Sequence, residues 1–285
     1  MADAHAAHAE PEGHAGHHTS IWPFVLALAG GFGFGGLATQ FWPSVFVGGV
    51  LLMVGIGGWV RQDLYGVSFA VKQEVEDRPF AGISIRKLGM WLFIISEVFF
   101  FTGLIAAGLA LRVRVDPCPE GVAALSACWP RPGSAEFPLN IPLTAINTFI
   151  LLASSFTMAE AVHSAQLGKQ GHLKIFLAAT LALGAIFVGI QVFEYGKLFA
   201  ENLTPWPNSV RPDLGTFGTA FYVQTGFHGA HVTGGILGLA YLNAMARKGR
   251  YGKDNSEGVE IVGLYWHLVD VVWIFLFPIM YLIGR

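Results

Sequence analysis

Long apolar runs separated by short polar breaks set the pattern of this chain. Seven such runs occur, at about 21–41, 42–60, 88–111, 140–163, 173–193, 216–245 and 259–283. At about 1.5 Å per helical residue, each approaches or exceeds the length that crosses a hydrocarbon core roughly 30 Å thick. The pattern therefore predicts an all-α polytopic membrane protein with seven transmembrane helices. Trp42-Pro43 leaves so short a break that the first two helices must form a tight antiparallel pair. Gly31 and Gly35 on the first run, and Gly234 and Gly238 on the sixth, have the four-residue spacing that lets helices approach closely. Pro142 suits the first turn of the fourth helix, where no N–H is needed. Residues 61–87 form the first sizeable polar loop, and the proline-rich breaks at 113–140 and 204–212 cannot be buried helix. The expected organisation is a tail over 1–20, a helix pair over 21–60, a loop over 61–87 and five helices over 88–285.

Composition narrows the class. Hydrophobic residues make up 53% of the chain and charged residues 13%, about half the charged share usual in soluble domains. No basic block is present, so nucleic acid is not an expected partner. The first 20 residues carry five histidines and no Lys or Arg, which excludes a secretory signal and predicts a mobile tail. Cys118 and Cys128 share one loop without a CxxC or Cys/His spacing, arguing against a cysteine-based metal site. Lys and Arg concentrate in loops on the N-terminal side, 11 against 6 on the other, which predicts a cytoplasmic N-terminus and a periplasmic C-terminus. The cysteines then face the oxidising side, where a disulfide and two free thiols are both open.

Polar groups inside the apolar runs are the candidate functional residues. Glu97 interrupts the third run near its middle, and a carboxylate there costs a few kcal/mol (about 2.5–3.5 on the mildest scale) unless partnered or protonated. Glu194, His228, His231, Glu260, His267 and Asp270 complete a set of ionisable groups on the later runs. His228 and His231, and likewise His267 and Asp270, are three residues apart and so share a helix face. Such pairs can ligate a metal, but pairing across neighbouring helices is the expected use and no bound metal is expected. Intrinsic haem is disfavoured because His163 lies at a different depth from His228 and His231. A relay of protons through Glu, His, Tyr and Asp stays open. No nucleophile elbow, P-loop or dinucleotide fingerprint occurs in a suitable context, so no catalytic residue is assigned.

Several stretches in order resemble subunit III of haem-copper cytochrome c oxidase. They are LGMWLFIISEVFFFTG in the third run, NTFILLASS with Ala161-Val162-His163-Ser164 in the fourth, IQVFEYGKLF in the fifth, GFHGAHVTGG in the sixth and VEIVGLYWHLVDVVWIFLFPIMY in the seventh. The resemblance implies a V-shaped bundle, two helices in one arm and five in the other, with phospholipid in the cleft. It implies a non-catalytic subunit of a proton-pumping respiratory oxidase in the bacterial inner membrane. That subunit supports proton uptake, durable turnover and oxygen access in electron transfer from cytochrome c to O2. Haem and copper belong to partner subunits I and II, with subunit I the main contact, subunit II and small accessory subunits as further partners, and none bound by this chain.

By resemblance Glu97 is the intramembrane glutamate of the lipid cleft, associated with carbodiimide reactivity. Trp59 and Arg61 resemble a lipid-headgroup region, from which Asp63 is displaced by one position. His228, His231, Glu260, His267 and Asp270 match positions of interhelical polar contact. The alternatives are subunit III of a quinol oxidase, whose family members usually lack the first two helices, a nitric oxide reductase accessory protein, and an autonomous proton-linked transporter.

Overall fold

The structure, a computed structural model, describes residues 20–66, 75, 79–115, 139–205 and 215–283. The His-rich stretch before residue 20, together with Cys118 and Cys128, lies outside the described residues. Among the described residues the chain is all-helical, with seven α-helices. They are α1 (Trp22–Ala38), α2 (Trp42–Gly66), α3 (Ile85–Val115), α4 (Ile141–Gln166), α5 (Gln170–Ala200), α6 (Gly215–Arg247) and α7 (Glu257–Phe277). Five of them, α2, α3, α4, α5 and α7 with its terminal turn, are long and apolar enough to cross a membrane. The protein is thus a multi-pass membrane protein by these helices. Of the other two, α1 is apolar but short, and α6 is long enough at 33 residues but dilutes its apolar run with Gln224, Thr225, His228 and His231.

Two compact units divide the chain, residues 1–72 and 73–285. The first holds the antiparallel pair α1 and α2, joined by the three residues 39–41, among which Gln40 takes a positive φ of 55°. Ser44 Oγ donates to the Phe32 carbonyl at 2.8 Å and fastens the start of α2 to α1. The small-residue seam lies elsewhere than the spacing suggested. Nothing approaches within 4 Å of the positions where side chains on Gly31 and Gly35 would begin. Gly48 instead meets the backbone of Gly33, Gly55 receives Leu26, and Gly58 receives the Trp22 indole. Four-residue spacing marks a helix stripe able to pack closely, but the rotation of α1 about its axis decides which stripe meets the partner. Trp59, 39% exposed, and Arg61 lie near the end of α2.

In the second unit α4 packs along α5, α6 lies against α5 and α7, and α3 covers α6 and α7. Asn140 opens α4 by accepting the Leu143 N–H on Oδ1 at 3.1 Å, with Pro142 in the first turn. At Gly168, φ 72°, and Gly249, φ 71°, the helices α4 and α6 end in the left-handed turn that glycine adopts without strain. Lys169 N–H then reaches the Ser164 carbonyl at 2.9 Å and Arg250 N–H the Met245 carbonyl at 3.1 Å, satisfying carbonyls the helix leaves open. Trp266, wholly buried, fills the space that Gly184 and Gly235 leave open between α5, α6 and α7.

Helix ends run past the apolar runs. α2 continues through Arg61 to Gly66 and α3 already begins at Ile85, so the expected loop 61–87 is shorter at both ends. Hydropathy locates where the apolar run ends, whereas backbone hydrogen bonding carries the helix onward through polar residues. The seventh run, expected to be one helix to Ile283, changes to a π-helical turn at Pro278–Leu282. Pro278 has no N–H to donate, and Ile283 N–H returns to the Pro278 carbonyl at 2.8 Å.

Candidate functional site

The intramembrane polar groups of the second unit fall at three levels along the bundle. At the end where α3 and α7 begin, Glu260 gathers donors from three elements. Lys87 Nζ lies 2.9 Å from its Oε2, while Gln166 Nε2 at 2.9 Å and Ser256 Oγ at 3.1 Å reach its Oε1. Ser84 Oγ hydrogen-bonds Glu257 and also accepts the Lys87 N–H at 3.2 Å, capping the start of α3. Gln170 at the start of α5 donates to the Tyr251 carbonyl, and burial pushes the Tyr251 phenol up to about 12. This end therefore binds α3, α4 and α7 through one carboxylate.

Glu97 occupies the middle level at the rim between α3 and α6. Its Oε2 lies 3.2 Å from His231 Nε2, with 16% of the Glu97 side chain and 21% of the His231 side chain exposed. His231 Nδ1 lies 2.7 Å from the Phe227 carbonyl, and a carbonyl can only accept, so Nδ1 carries a proton. Nε2 then bonds Glu97 either as acceptor from a neutral carboxyl or as donor to a carboxylate. One proton shared by the pair satisfies both arrangements. Tyr265 OH donates to the His231 carbonyl at 2.8 Å, and the Phe101 ring stands edge-on to the imidazole at 5.0 Å.

His267 and Asp270, one turn apart on α7, do not bond directly. His267 Nδ1 meets Ser155 Oγ at 2.8 Å but lies 3.9 Å from Asp270 Oδ2, beyond hydrogen-bond reach. His228 is 1% exposed and stacks on Trp273 at 4.9 Å, with Phe187 edge-on at 6.0 Å. The Trp273 indole donates to Thr148 Oγ1 at 2.9 Å and the Trp266 indole to Ser154 Oγ at 3.0 Å, so both α7 tryptophans are pinned to α4.

At the far level Glu194 is 2% exposed in a nest of hydroxyls. Thr144 Oγ1 reaches its Oε1 at 3.0 Å, and Tyr281 OH donates to Oε2 at 3.4 Å. Beside it Thr225 Oγ1 donates to the Phe221 carbonyl at 2.6 Å, which leaves Tyr195 OH to donate to Thr225 across 2.6 Å.

Of the sequence-chosen residues, the structure brings together Glu97 with His231 and places His267 near Asp270. Glu194, His228 and Glu260 keep separate surroundings. Among the described residues no three His, Cys, Asp or Glu side chains converge as a metal set. Sequence reasoning missed the neutral partners Thr144, Tyr281, Ser154, Ser155 and Thr148. Their signal was weak but present: Thr144, Thr148 and Ser155 recur at helical spacing on α4, and Trp266, Asp270 and Trp273 do so on α7.

Comparison with known proteins gives consistent results. The family model for cytochrome c oxidase subunit III matches residues 38–285. Relatives include the probable quinol oxidase subunit 3 of Staphylococcus aureus (strain USA300) and that of Staphylococcus haemolyticus (strain JCSC1435). Each is 32% identical over 210 residues, 74% of this chain and 94% of the relative.

Proposed function

Since the chain belongs to the cytochrome c oxidase subunit III family, we propose that it is the non-catalytic third subunit of a proton-pumping respiratory haem-copper oxidase. The family match from residue 38 to the C-terminus carries this reading. In it, haem and copper reside in partner subunits I and II, subunit I is the main contact, and this chain keeps the catalytic subunit turning over. Its acids Glu97, Glu194 and Glu260 suit that role, because each is held by hydroxyls, an amide, an amine or an imidazole.

The names of the relatives favour quinol as electron donor, the alternative at the outset, over cytochrome c. The span they share with this chain, 210 residues, is close to the length of the second compact unit alone. The additional pair α1 and α2 is what favours cytochrome c, since family members serving quinol oxidases usually lack it. The two-arm arrangement with phospholipid in a cleft, Trp59 and Arg61 at headgroups and Glu97 as the cleft acid, is part of the proposal. So is a cytoplasmic N-terminus, supported by the basic loops 164–174 and 247–258.

Affinity purification of the full-length chain from its native membranes tests the reading. A co-purifying haem spectrum with O2 consumption is expected, faster with a quinol than with reduced cytochrome c. Recovery of the chain without any haem protein overturns it. Proton movement by the chain alone in liposomes supports the transporter instead.

A further inference from the structure

Gln170 Oε1 at the start of α5 aside, five buried side chains on four helices hold polar atoms with no partner within hydrogen-bond distance among the described residues. They are Asn147 Oδ1 on α4, both amide atoms of Gln191 on α5, Gln224 Oε1 and both ring nitrogens of His228 on α6, and both carboxyl oxygens of Asp270 on α7. None is more than 6% exposed. Their placement is not scattered. Asn147 Nδ2 donates to the Phe187 carbonyl at 3.1 Å, and the rings of Phe187, His228 and Trp273 are in mutual contact, which fixes one level of the bundle. Asp270 precedes Trp273 by one turn of α7. Gln191 follows Phe187 by one turn of α5, and Gln224 precedes His228 by one turn of α6. These last two therefore lie on the side of the Glu194 nest, which Tyr195 and Thr225 link between the same two helices.

Ser155 lies beside Asp270 and Tyr281 OH beside Gln191, close enough to supply one bond each on small shifts, but among the described residues no such neighbour stands at His228. A neutral imidazole has one donor and one acceptor whichever tautomer it adopts, so His228 is left with two unmet bonds in either case. Exchanging the oxygen and nitrogen of Gln191 leaves both unmet for the same reason. Native interiors pair such groups almost without exception, and in a bilayer no outside solvent reaches them. His267 Nδ1 and Asp270 Oδ2 lie 3.9 Å apart with Ser155 Oγ 2.8 Å from the imidazole, so Asp270 has one hydroxyl neighbour and its remaining acceptor sites are open to water.

We propose that the α4–α7 bundle binds a file of ordered water molecules running from Asp270 past His228 to Gln191 and Gln224, ending at the Glu194 nest. Each water meets two or more of the unmet groups, and the file gives two buried carboxyl groups a common hydrogen-bonded environment. The inference does not depend on the identity of the partner subunits.

Radiolytic hydroxyl-radical footprinting of native membranes containing the full chain tests it, because radicals formed from bound water oxidise the aromatic side chains beside that water. Trp273 and Tyr281, 1% and 0% exposed, line the file. Met158, also 0% exposed and intrinsically oxidisable, sits against Gly263 away from the unmet groups and is the internal control. The expected result is oxidation of Trp273 and Tyr281 at least fivefold faster than Met158. In the Gln191→Leu/Gln224→Leu double variant that ratio should fall at least threefold, while exposed Trp91 is unchanged. Protection of all three buried residues to the same degree overturns the proposal, and so does equal oxidation of all three.

Discussion

Glu97 and Glu194 belong to the same five-helix unit, yet Glu97 meets an imidazole at a rim where 16% of its side chain stays exposed, whereas Glu194 meets hydroxyls in a nest that leaves it 2% exposed. A titratable partner lets Glu97 share one proton with His231 and keep its contact in either protonation state. Neutral partners give Glu194 no such exchange, so its contribution is to tie α4, α5 and the last turn of α7 together. Position explains the difference. α3 lies on the outside of the bundle with Phe99, 74% exposed, nearby on the same helix, while α5 and α7 carry the core.

Breaking the nest should have the largest effect. Glu194→Ala removes the carboxyl group that Thr144 and Tyr281 meet, leaving Thr144 only the Asn140 carbonyl at 3.0 Å, opens space in the core, and is expected to destabilise by about 2–4 kcal/mol. Thermal unfolding of the detergent-solubilised protein measures this, and a loss no larger than that of Glu97→Ala would remove the distinction between the two acids. Next comes Glu260→Ala, which releases Lys87, Gln166 and Ser256 together. Partial exposure of the site discounts the expected loss to about 1 kcal/mol, read in the same assay. Trp266→Phe keeps the ring between Gly184 and Gly235 but loses the bond to Ser154, for about 0.6–1 kcal/mol.

Smallest is Glu97→Gln, which retains shape and a hydrogen bond to His231, and should cost under about 0.5 kcal/mol with assembly intact. Loss of the assembled complex in that variant would make the rim acid structurally indispensable. Chemical accessibility sharpens the contrast further. A hydrophobic carbodiimide should modify Glu97 and spare Glu194, as peptide mass mapping would reveal, and the reverse pattern would contradict the assignment of rim and nest.

Much of the helical plan was legible from hydropathy, because spans of about 20 apolar residues and proline-rich breaks are strong signals. α6 shows the limit of that signal. Its apolar runs are interrupted by Gln224, Thr225 and His228, buried among neighbouring helices, so it falls below the apolarity of a membrane span while occupying the interior. Individual acids were also legible, since a carboxylate in an apolar run stands out. Their partners were not. Thr144, Ser155 and Tyr281 are ordinary residues until the rotation of each helix about its axis is known, and no one-dimensional spacing fixes that rotation. The same ignorance placed the close contact of α1 at Gly31 and Gly35 instead of at the Gly33–Gly48 crossing.

In the role proposed, this chain sustains an oxidase without performing its chemistry. The most direct measurement compares haem content and O2 consumption over time by the oxidase purified with and without this chain, at matched protein concentration. Equal haem and a similar initial rate are expected, followed by earlier inactivation when the chain is missing. Loss of the haem centre, or an initial rate near zero, would contradict it by placing the chemistry in this chain, and identical time courses would contradict it by leaving the chain no supporting role.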